Sequence, residues 1–196
     1  MVIKNIDNVK VILYPINELQ TFLPFKSFEG SAKILDIKRL GKQRIECLQI
    51  LNTLSIGPYY KYSRNLFSNA KSSSATEEEF KNPEKRSFGY NYKKTPWYNH
   101  PAVQMWKGYE TALVEYGFAI CREWKQRGYK DSCLEKIDSF DWNKEADTIY
   151  PPWLGNETFH LSHKSNLVRK KPEYYRPIFG KDIPDDLPYH WPTKNP

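Results

Sequence analysis

Apolar residues recur at helical spacing between Ser31 and about Leu54, and Ser31 is predicted to cap the N-terminus of this helix. Arg44 projects toward the apolar side, where we expect it to snorkel or to pair with a carboxylate. The apolar arc consists of Ile37, Leu40, Cys47, Leu48, Leu51 and Leu54, and the opposite arc carries Lys38, Arg39, Lys42, Gln43 and Glu46. The pattern predicts an amphipathic helix with a polar, mainly cationic outer face.

Two further helices are predicted downstream. The longer one begins at a cap formed by Asn99 or His100 and ends near Gly128. The other begins after an Asn156 cap and stops before Pro172. A core-facing stripe in the longer helix contains Ala102, Trp106, Tyr109, Leu113, Tyr116, Ile120 and Trp124.

The remaining segments have no helical period. Residues 1–19 are an N-terminal extension in which "VKVILYPI" predicts a short strand ended by Pro15. Residues 68–95 are polar and rich in Ser, which predicts a mobile surface loop inserted into a domain that spans 20–196. The Pro-rich, aromatic C-terminal tail should run extended over the surface. We therefore predict a mainly α, compact single-domain fold with long loops and a short N-terminal extension.

Charge and composition indicate which kind of partner the protein binds. The chain of 196 residues has a net charge of +7 and is 15% aromatic, which favours nucleic acid as a partner, ahead of an anionic membrane. Three scattered cysteines, without a CxxC pair, predict neither a disulfide framework nor a cysteine zinc site. With no predicted signal peptide or membrane span, we expect an intracellular monomer that needs no metal, cofactor or nucleotide.

Glu46 is the carboxylate with the clearest alternative roles. It follows Lys42 by one turn, so the two residues could simply pair on a solvated face. Alternatively, cations at Arg39, Lys42 and Arg44 keep Glu46 ionised and hold phosphates on either side of a sugar. A carboxylate in that position would stabilise positive charge that develops at the anomeric carbon. The second interpretation predicts glycosidic cleavage on a nucleic acid.

Other polar residues have a structural and a functional interpretation. His160 and His163 lack a third ligand at convincing spacing, so they either satisfy hydrogen bonds or contact phosphate. His100 at a helix start either caps the helix or helps to bind an anion. The candidate DNA contacts are Lys38, Lys42, Gln43, His100, His160, His163, Lys164, Asn166 and Arg169. Trp97, Trp153 and Trp191 in loops either cover the core or offer stacking surfaces.

Three stretches of sequence resemble the pyrimidine dimer DNA glycosylase family of the endonuclease V type, in its larger bacterial and viral branch. They are "QTFLPFKSFEGSAKILDIKRLGKQRIECLQIL", "NHPAVQMWKGYETALVEYGFAICREWKQRGYKDSC" and "PPWLGNETFHLSHKSNLVRKKPEYYRPIFG" with the later "PDDLPYHWP". The resemblance implies a helical fold that binds duplex DNA with damaged bases, cleaves the glycosidic bond at photodimers and flips a nucleotide out of the helix. It places the essential glutamate at Glu46, aligns two further catalytic positions with Arg39 and Arg44, and places His100 at the family's helix-opening histidine.

The resemblance also implies strand scission by an AP lyase step through a Schiff base formed by an N-terminal amine. In this chain the family-like region begins near Gln20 or Thr21, behind the extension, so that amine lies inside the chain unless proteolysis frees it. Three alternatives follow: the extension folds back and presents the amine of Met1 or Val2, a lysine such as Lys38 or Lys42 substitutes, or water attacks with Glu46 as base. Thr21 and Lys42 are the nucleophile candidates. A DNA-binding module without catalysis, or a glycosylase for another modified base, is the alternative function.

Overall fold

The computed structural model describes the backbone of residues 2–6 and 9–13 and all atoms of residues 19–54, 98–140 and 148–192. Two strands, β1 (Val2–Ile6) and β2 (Val9–Leu13), pair antiparallel with Val2 opposite Leu13. The helices are α1 (Phe28–Ile34), α2 (Ile37–Leu54), α3 (Pro101–Gln104), α4 (Glu110–Gln126), α5 (Leu134–Asp138), α6 (Glu157–Lys170) and α7 (Pro172–Phe179). The predicted mainly α fold is confirmed. The predicted loop at 68–95 and Trp97 lie outside the described residues.

The first helical stretch is two helices rather than one. Ser27, not Ser31, caps α1, because its side chain accepts a hydrogen bond from the Gly30 amide. Ser31 lies inside α1 and exchanges hydrogen bonds with the backbone of Phe25. The chain leaves helical geometry at Leu35 and restarts after Asp36, whose Oδ1 accepts from the amides of Lys38 at 3.1 Å and Arg39 at 3.4 Å. The predicted cap at Ser31 is therefore wrong.

The second predicted helix is also interrupted. His100 does cap α3, because its Nδ1 accepts a hydrogen bond from the Ala102 amide at 3.1 Å, but α3 ends after one turn. Gly108 then adopts a φ of 87°, a left-handed conformation that glycine reaches without strain, and α4 begins at Glu110. The apolar stripe nevertheless faces the core, since Trp106 and Tyr116 are fully buried.

Helices α2 and α4 pack closely and carry the centre of the core. A Cβ at Gly117 of α4 would lie 2.7 Å from Sγ of Cys47 and 2.9 Å from Cδ1 of Ile137, so glycine permits α2, α4 and α5 to meet. Leu40 and Cys47 are buried as predicted, whereas Ile37 at the start of α2 is 46% exposed. The interruption at Asp36 explains this, because Ile37 belongs to a first turn beyond the end of α1.

The C-terminal third packs onto the same core as the earlier helices, through Phe159, Leu167 and Val168 of α6 and Tyr175 of α7. Asn156 caps α6 as predicted, with its Oδ1 accepting from the Phe159 amide, and α6 ends before Pro172. The tail was expected to be extended from Pro177 onward, but Pro177 lies within α7, and regular structure ends only at Gly180.

Candidate active site

Glu46 lies on the polar side of α2 but is withdrawn from solvent. It is 2% exposed, and Gln43, on the same face, is fully buried. Lys42 Nζ lies 3.3 Å from Glu46 Oε1, while Gln43 Nε2 donates a short hydrogen bond to Glu46 Oε2. The predicted pairing of Glu46 with Lys42 is present, but Glu46 does not lie on a solvated face, because the segment preceding α1 covers Gln43 and Glu46.

Gln43 has only one orientation that satisfies its neighbours. Its Oε1 accepts from the Phe22 amide at 2.9 Å and from the Tyr116 hydroxyl at 2.6 Å. These two donors fix the amide oxygen on that side, so Nε2 must point at Glu46. The carboxylate is thus held by a side chain that is itself locked between a loop and α4.

Burial dominates the protonation of Glu46. Loss of hydration raises the pKa of its carboxyl from 4.5 to about 7, although the charge and hydrogen bond of Lys42, the Gln20 backbone amide and the Gln43 amide all lower it. The expectation that neighbouring cations keep Glu46 ionised is therefore wrong. Near neutral pH the protonated and ionised forms of the carboxyl are instead both populated, which is the condition that suits a general acid or base.

Residues 20–23 form the strip of backbone that covers this carboxyl. Gln20 is 3% exposed and Thr21 is fully buried. The Thr21 amide donates to Gln20 Oε1 at 2.9 Å, and Thr21 Oγ1 accepts from Trp106 Nε1 at 3.0 Å. Thr21, a nucleophile candidate from the sequence, has both its nitrogen and its hydroxyl engaged, and the backbone amide that acts on Glu46 belongs to Gln20.

His160 and His163 hold this strip from the opposite side. Nδ1 of His160 lies 2.7 Å from the Leu23 carbonyl, and Nδ1 of His163 accepts from the Leu23 amide at 3.2 Å. Because the Gly155 amide donates to Nε2 of His160 at 2.9 Å, the proton of His160 resides on Nδ1. Burial lowers the pKa of His163 to about 3, so it stays neutral. The functional interpretation of these residues as phosphate contacts is wrong, because both are buried and clamp the Leu23 peptide.

The two arginines proposed for the site lie in different places. Arg39 pairs with Asp36 at 2.6 Å, and the Tyr175 hydroxyl donates to the same carboxylate oxygen at 2.6 Å. Arg44 forms a short ion pair with Asp131 and stacks its guanidinium 4.2 Å from the Trp124 ring centroid. The expected carboxylate partner of Arg44 is confirmed, but this pair lies away from Glu46 on the side of α2 that faces Trp124.

Some of the other candidate DNA-contacting residues are exposed to solvent, and others are buried. Lys38 and Arg169 are exposed, and Lys164 is half-buried with Nζ 5.1 Å from the Phe25 ring centroid. Asn166 is fully buried and donates to the carbonyls of Ser162 and Leu187, so its expected DNA contact is wrong. His100 is a helix cap, as one of its two interpretations had it, and its ring stands edge-on to Trp191 at 6.0 Å.

Sequence reasoning missed two residues that belong to this site. From the sequence, Gln20 stands out only as a possible start of the family-like region, and Tyr189 only as part of the Pro-rich tail. Burial raises the pKa of Tyr189 to about 12, although the hydrogen bond from the Gln20 side chain and the charge of Arg169 lower it. The one available signal was the density of aromatic residues in the tail.

Among the residues that the structure describes, no cluster of three or more histidine, cysteine or acidic side chains could hold a metal ion. No described helix is long and apolar enough to span a membrane.

Comparison with known proteins gives one result. A family model described as pyrimidine dimer DNA glycosylase matches residues 19–136, which is more than half of the chain. The matched range contains all of α1 to α4 and begins at the buried strip before α1. Neither the curated proteins nor the solved structures gave a match.

Proposed function

The chain belongs to the pyrimidine dimer DNA glycosylase family, and we propose that it excises damaged bases from duplex DNA, with pyrimidine photodimers as the substrate and Glu46 as the reacting carboxyl. The observation that carries the proposal is the environment of Glu46, which has Lys42 Nζ at 3.3 Å on one oxygen and Gln43 Nε2 on the other. The enzyme would act inside the cell, on the DNA itself.

The raised pKa of Glu46, about 7, supports a role in both halves of glycosidic cleavage. In its ionised form the carboxylate stabilises positive charge at C1′ as the bond to the base breaks. In its protonated form it donates a proton to the ring oxygen of the sugar. The exposed or half-buried cations Lys38, Arg39, Lys164 and Arg169 supply phosphate contacts that hold the strand.

We further propose an AP lyase step in which Lys42 supplies the amine. Neutral Nζ attacks C1′, the C1′–N bond breaks, and the base nitrogen takes the proton that the attacking nitrogen loses, while the base stays joined to its partner in the photodimer. The deoxyribose ring then opens as Glu46 protonates its ring oxygen, which leaves an imine between Lys42 and C1′. Loss of a C2′ proton breaks the C3′–O bond of the strand, and water hydrolyses the imine to return the amine.

A second amine would reach the same place if the extension were removed. The backbone nitrogen of Gln20 already acts on the Glu46 carboxyl, so cleavage before Gln20 would put an α-amine there. An α-amine has an ordinary pKa of about 8 against about 10.4 for lysine, so a larger fraction of it is neutral at pH 7. The Lys42 route needs no processing, and for that reason we place it first.

Glycosidic cleavage, called base release below, tests the glycosylase. It is scored as alkali-labile strand breaks at the resulting abasic site, because a pyrimidine cut from its sugar in a photodimer stays joined to its neighbour. Protein is incubated with a duplex that carries one pyrimidine photodimer, and with a panel of duplexes that carry oxidised or alkylated bases. Glu46→Gln should lower base release from the photodimer duplex by at least about a hundredfold while keeping salt-dependent DNA binding. Glu135→Gln, an exposed carboxyl on α5, is the matched control. Release at the wild-type rate by Glu46→Gln would refute the role of Glu46. If the wild type released bases from an oxidised or alkylated duplex and not from the photodimer duplex, the proposed substrate would be wrong.

Borohydride trapping tests the lyase. Wild-type protein should form a covalent complex with the cleaved duplex, and peptide mapping should place it on Lys42. Lys42→Arg keeps the positive charge but cannot form the imine, so it should lose the complex, whereas Lys38→Arg should keep it. An adduct on residue 1 or 2 would show that the N-terminal amine reacts instead of Lys42. A complex that appears only when the chain begins at Gln20 would identify the α-amine of Gln20 as the nucleophile.

The burial of Glu46 favours a second candidate function. A carboxyl that is 2% exposed reaches a sugar only if the strip at residues 20–23 or the Lys42 side chain shifts on DNA binding. If no shift occurs, the protein is a DNA-binding module without catalysis. Tight, salt-dependent binding of the photodimer duplex with neither base release nor trapping would establish that function.

A further inference from the structure

Helix α4 reaches the candidate site through one hydroxyl group. The Tyr116 hydroxyl donates to Gln43 Oε1 at 2.6 Å and lies 3.3 Å from the Phe22 carbonyl oxygen. The tyrosine is fully buried, and its ring packs 6.0 Å from the Trp106 ring. Burial raises the pKa of Tyr116 well above its ordinary value, so the hydroxyl keeps its proton and remains a donor. It therefore joins α4 to α2 and to the strip at residues 20–23.

The orientation of the Gln43 amide decides what Glu46 meets. With Nε2 toward Glu46 the carboxyl accepts a hydrogen bond, which favours its ionised form. If the amide turned over, Oε1 would face the carboxyl, and only a protonated carboxyl could bond to it. Two donors select the first orientation, namely the Phe22 amide at 2.9 Å and the Tyr116 hydroxyl at 2.6 Å. The ionisation of Glu46 thus depends on groups that bond to Gln43.

The two donors respond differently to opening of the site. Glu46 is 2% exposed, so a sugar reaches it only when part of its cover moves. A shift of the strip would carry the Phe22 amide away from Gln43, because that amide belongs to the strip. Tyr116 belongs to α4, which is packed on α2 so closely that a Cβ at Gly117 would lie 2.7 Å from Cys47 Sγ. The hydroxyl therefore stays with Gln43 when the strip leaves.

We propose that Tyr116 is a positioning residue for the reaction at Glu46, an inference that rests on the proposed glycosylase function. Its hydroxyl keeps Gln43 Nε2 directed at the carboxyl while the strip is displaced. The hydrogen bond from Nε2 keeps the carboxylate available to stabilise positive charge at C1′. Tyr116 itself is fully buried and acts through Gln43. Without the hydroxyl the amide turns over more readily, and the carboxyl retains its proton to higher pH.

The other titratable groups around Glu46 do not depend on this hydroxyl. Lys42 faces the carboxyl from α2 and Tyr189 faces it from the tail, whereas the strip at residues 20–23 has no titratable side chain. The Tyr189 hydroxyl stays neutral, because burial raises its pKa to about 12. Lys42 contacts the other carboxyl oxygen, Oε1, at 3.3 Å. A change in the titration of Glu46 on removal of the Tyr116 hydroxyl therefore reports the orientation of Gln43.

The first test is the titration of Glu46 in the free protein, followed by carbon NMR of the side-chain carboxyl. Tyr116→Phe keeps the ring and removes the donor, and the midpoint should rise by about 0.5 pH unit, because the Phe22 amide still holds Gln43. Gln43→Met should raise the midpoint at least as far, and adding Tyr116→Phe to it should raise it no further. Tyr175→Phe removes a fully buried hydroxyl that bonds to Asp36, and as the matched control it should leave the midpoint in place.

The second test is single-turnover base release from the photodimer duplex as a function of pH. With the strip displaced, loss of the hydroxyl should raise the Glu46 midpoint by about one unit. The rate of Tyr116→Phe should then be about one tenth of the wild-type rate at pH 6 and within about twofold of it at pH 9, where the carboxyl is ionised in both proteins. A merely structural loss would lower the ratio of the two rates equally at every pH.

The outcomes separate the two proposals. Absence of base release by the wild type removes the proposed function, and this inference falls with it. If the wild type releases bases, a rate ratio that is the same at pH 6 and pH 9 overturns the inference and leaves the glycosylase standing. A Glu46 midpoint in Tyr116→Phe within about 0.2 unit of the wild type does the same. Thermal melting establishes that each variant is folded, and if Tyr116→Phe does not fold, Gln43→Met decides by the same two measurements, because Tyr116 acts through Gln43.

Discussion

Lys42 Nζ and Glu46 Oε1 lie 3.3 Å apart, one turn from each other on α2, yet the two side chains meet different surroundings. The lysine side chain is 25% exposed and the glutamate side chain 3%. Water therefore reaches this pair from the amine side only, and the carboxyl bears most of the desolvation cost. The protonation of Glu46 consequently depends on whether the amine is present.

Replacing the amine should change the titration of the carboxyl. In Lys42→Met the pKa of Glu46 should rise above about 7, because the Lys42 charge and hydrogen bond lower that pKa and burial, which raises it, remains. Carbon NMR of the side-chain carboxyl, assigned by its loss in Glu46→Gln, measures the value. Lys38→Met, an exposed residue on the first turn of α2, is the control and should leave the titration in place. A Glu46 pKa that stays unchanged or falls in Lys42→Met would contradict the ion pair.

Glu46→Gln should stabilise the protein at high pH. The folded-state pKa of this carboxyl is raised from 4.5 to about 7, so the unfolded state loses its proton first as pH increases. The neutral carboxyl therefore favours the folded state fully below pH 4.5, and this stability disappears as pH rises through about 7. The shift in pKa between the unfolded and folded states corresponds to a loss of about 3 kcal/mol in the free energy of unfolding between low and high pH.

Glutamine cannot ionise and avoids that loss. The melting temperature of Glu46→Gln relative to wild type should thus increase between pH 5 and pH 8, measured by calorimetry in the same buffers. Glu135→Gln removes an exposed carboxyl and should show no such trend. A larger advantage for Glu46→Gln at pH 5 than at pH 8 would mean that the carboxyl is ionised at low pH in the folded protein.

Local rules predicted much of the fold. The caps at His100 and Asn156, the end of α6 before Pro172 and the burial of Trp106 and Tyr116 all follow from residue type and helical spacing. The break at Asp36 could have been anticipated, because aspartate favours the N-cap. The apolar pattern continues through it, however, since α1 and α2 both pack on α4, and periodicity alone therefore predicts one helix.

The site was less accessible from sequence because its environment comes from distant segments. Position on α2 correctly placed Lys42, Gln43 and Glu46 on one face. The solvent exposure of that face depends on residues 20–23, which cover it. The position of these residues is fixed by hydrogen bonds to His160 and His163, some 140 residues later. No spacing rule within α2 reports such a contact, so burial of the carboxyl and its raised pKa could not be inferred.

Gly117→Ala should destabilise the protein despite the better helix propensity of alanine. Propensity alone would gain up to about 1 kcal/mol, but the new Cβ would lie 2.7 Å from Sγ of Cys47 and 2.9 Å from Ile137. Overpacking of a dense core typically costs about 1–3 kcal/mol, so we expect a net loss of about 1–2 kcal/mol in urea denaturation. Gly30→Ala in α1 meets its nearest atoms at 3.4 Å and should be neutral or stabilising. Equal effects of the two substitutions would show that α2 and α4 can separate freely.

Arg44 offers the sharpest distinction between a structural and a catalytic arginine. Arg44 forms a short ion pair with Asp131, whose side chain is 1% exposed, and stacks on Trp124. Arg44→Met should therefore leave a buried carboxylate without its cation, although the Leu134 amide still donates to it. Breaking a buried pair costs about 3–5 kcal/mol, which urea denaturation should show. Asp131→Asn combined with Arg44→Met should recover part of this loss, because no charge then remains unpaired.

The same variants measured at a temperature where they are folded decide the role of Arg44 in chemistry. Asp131 holds the guanidinium on the Trp124 side of α2, so base release per folded molecule should stay within about threefold of wild type in Arg44→Met. Arg39→Met should instead weaken DNA binding, since Arg39 lies on the Glu46 face and keeps part of its side chain exposed. A loss of about a hundredfold in base release by folded Arg44→Met would contradict this prediction. It would show that Arg44 has the catalytic role that the family resemblance implies.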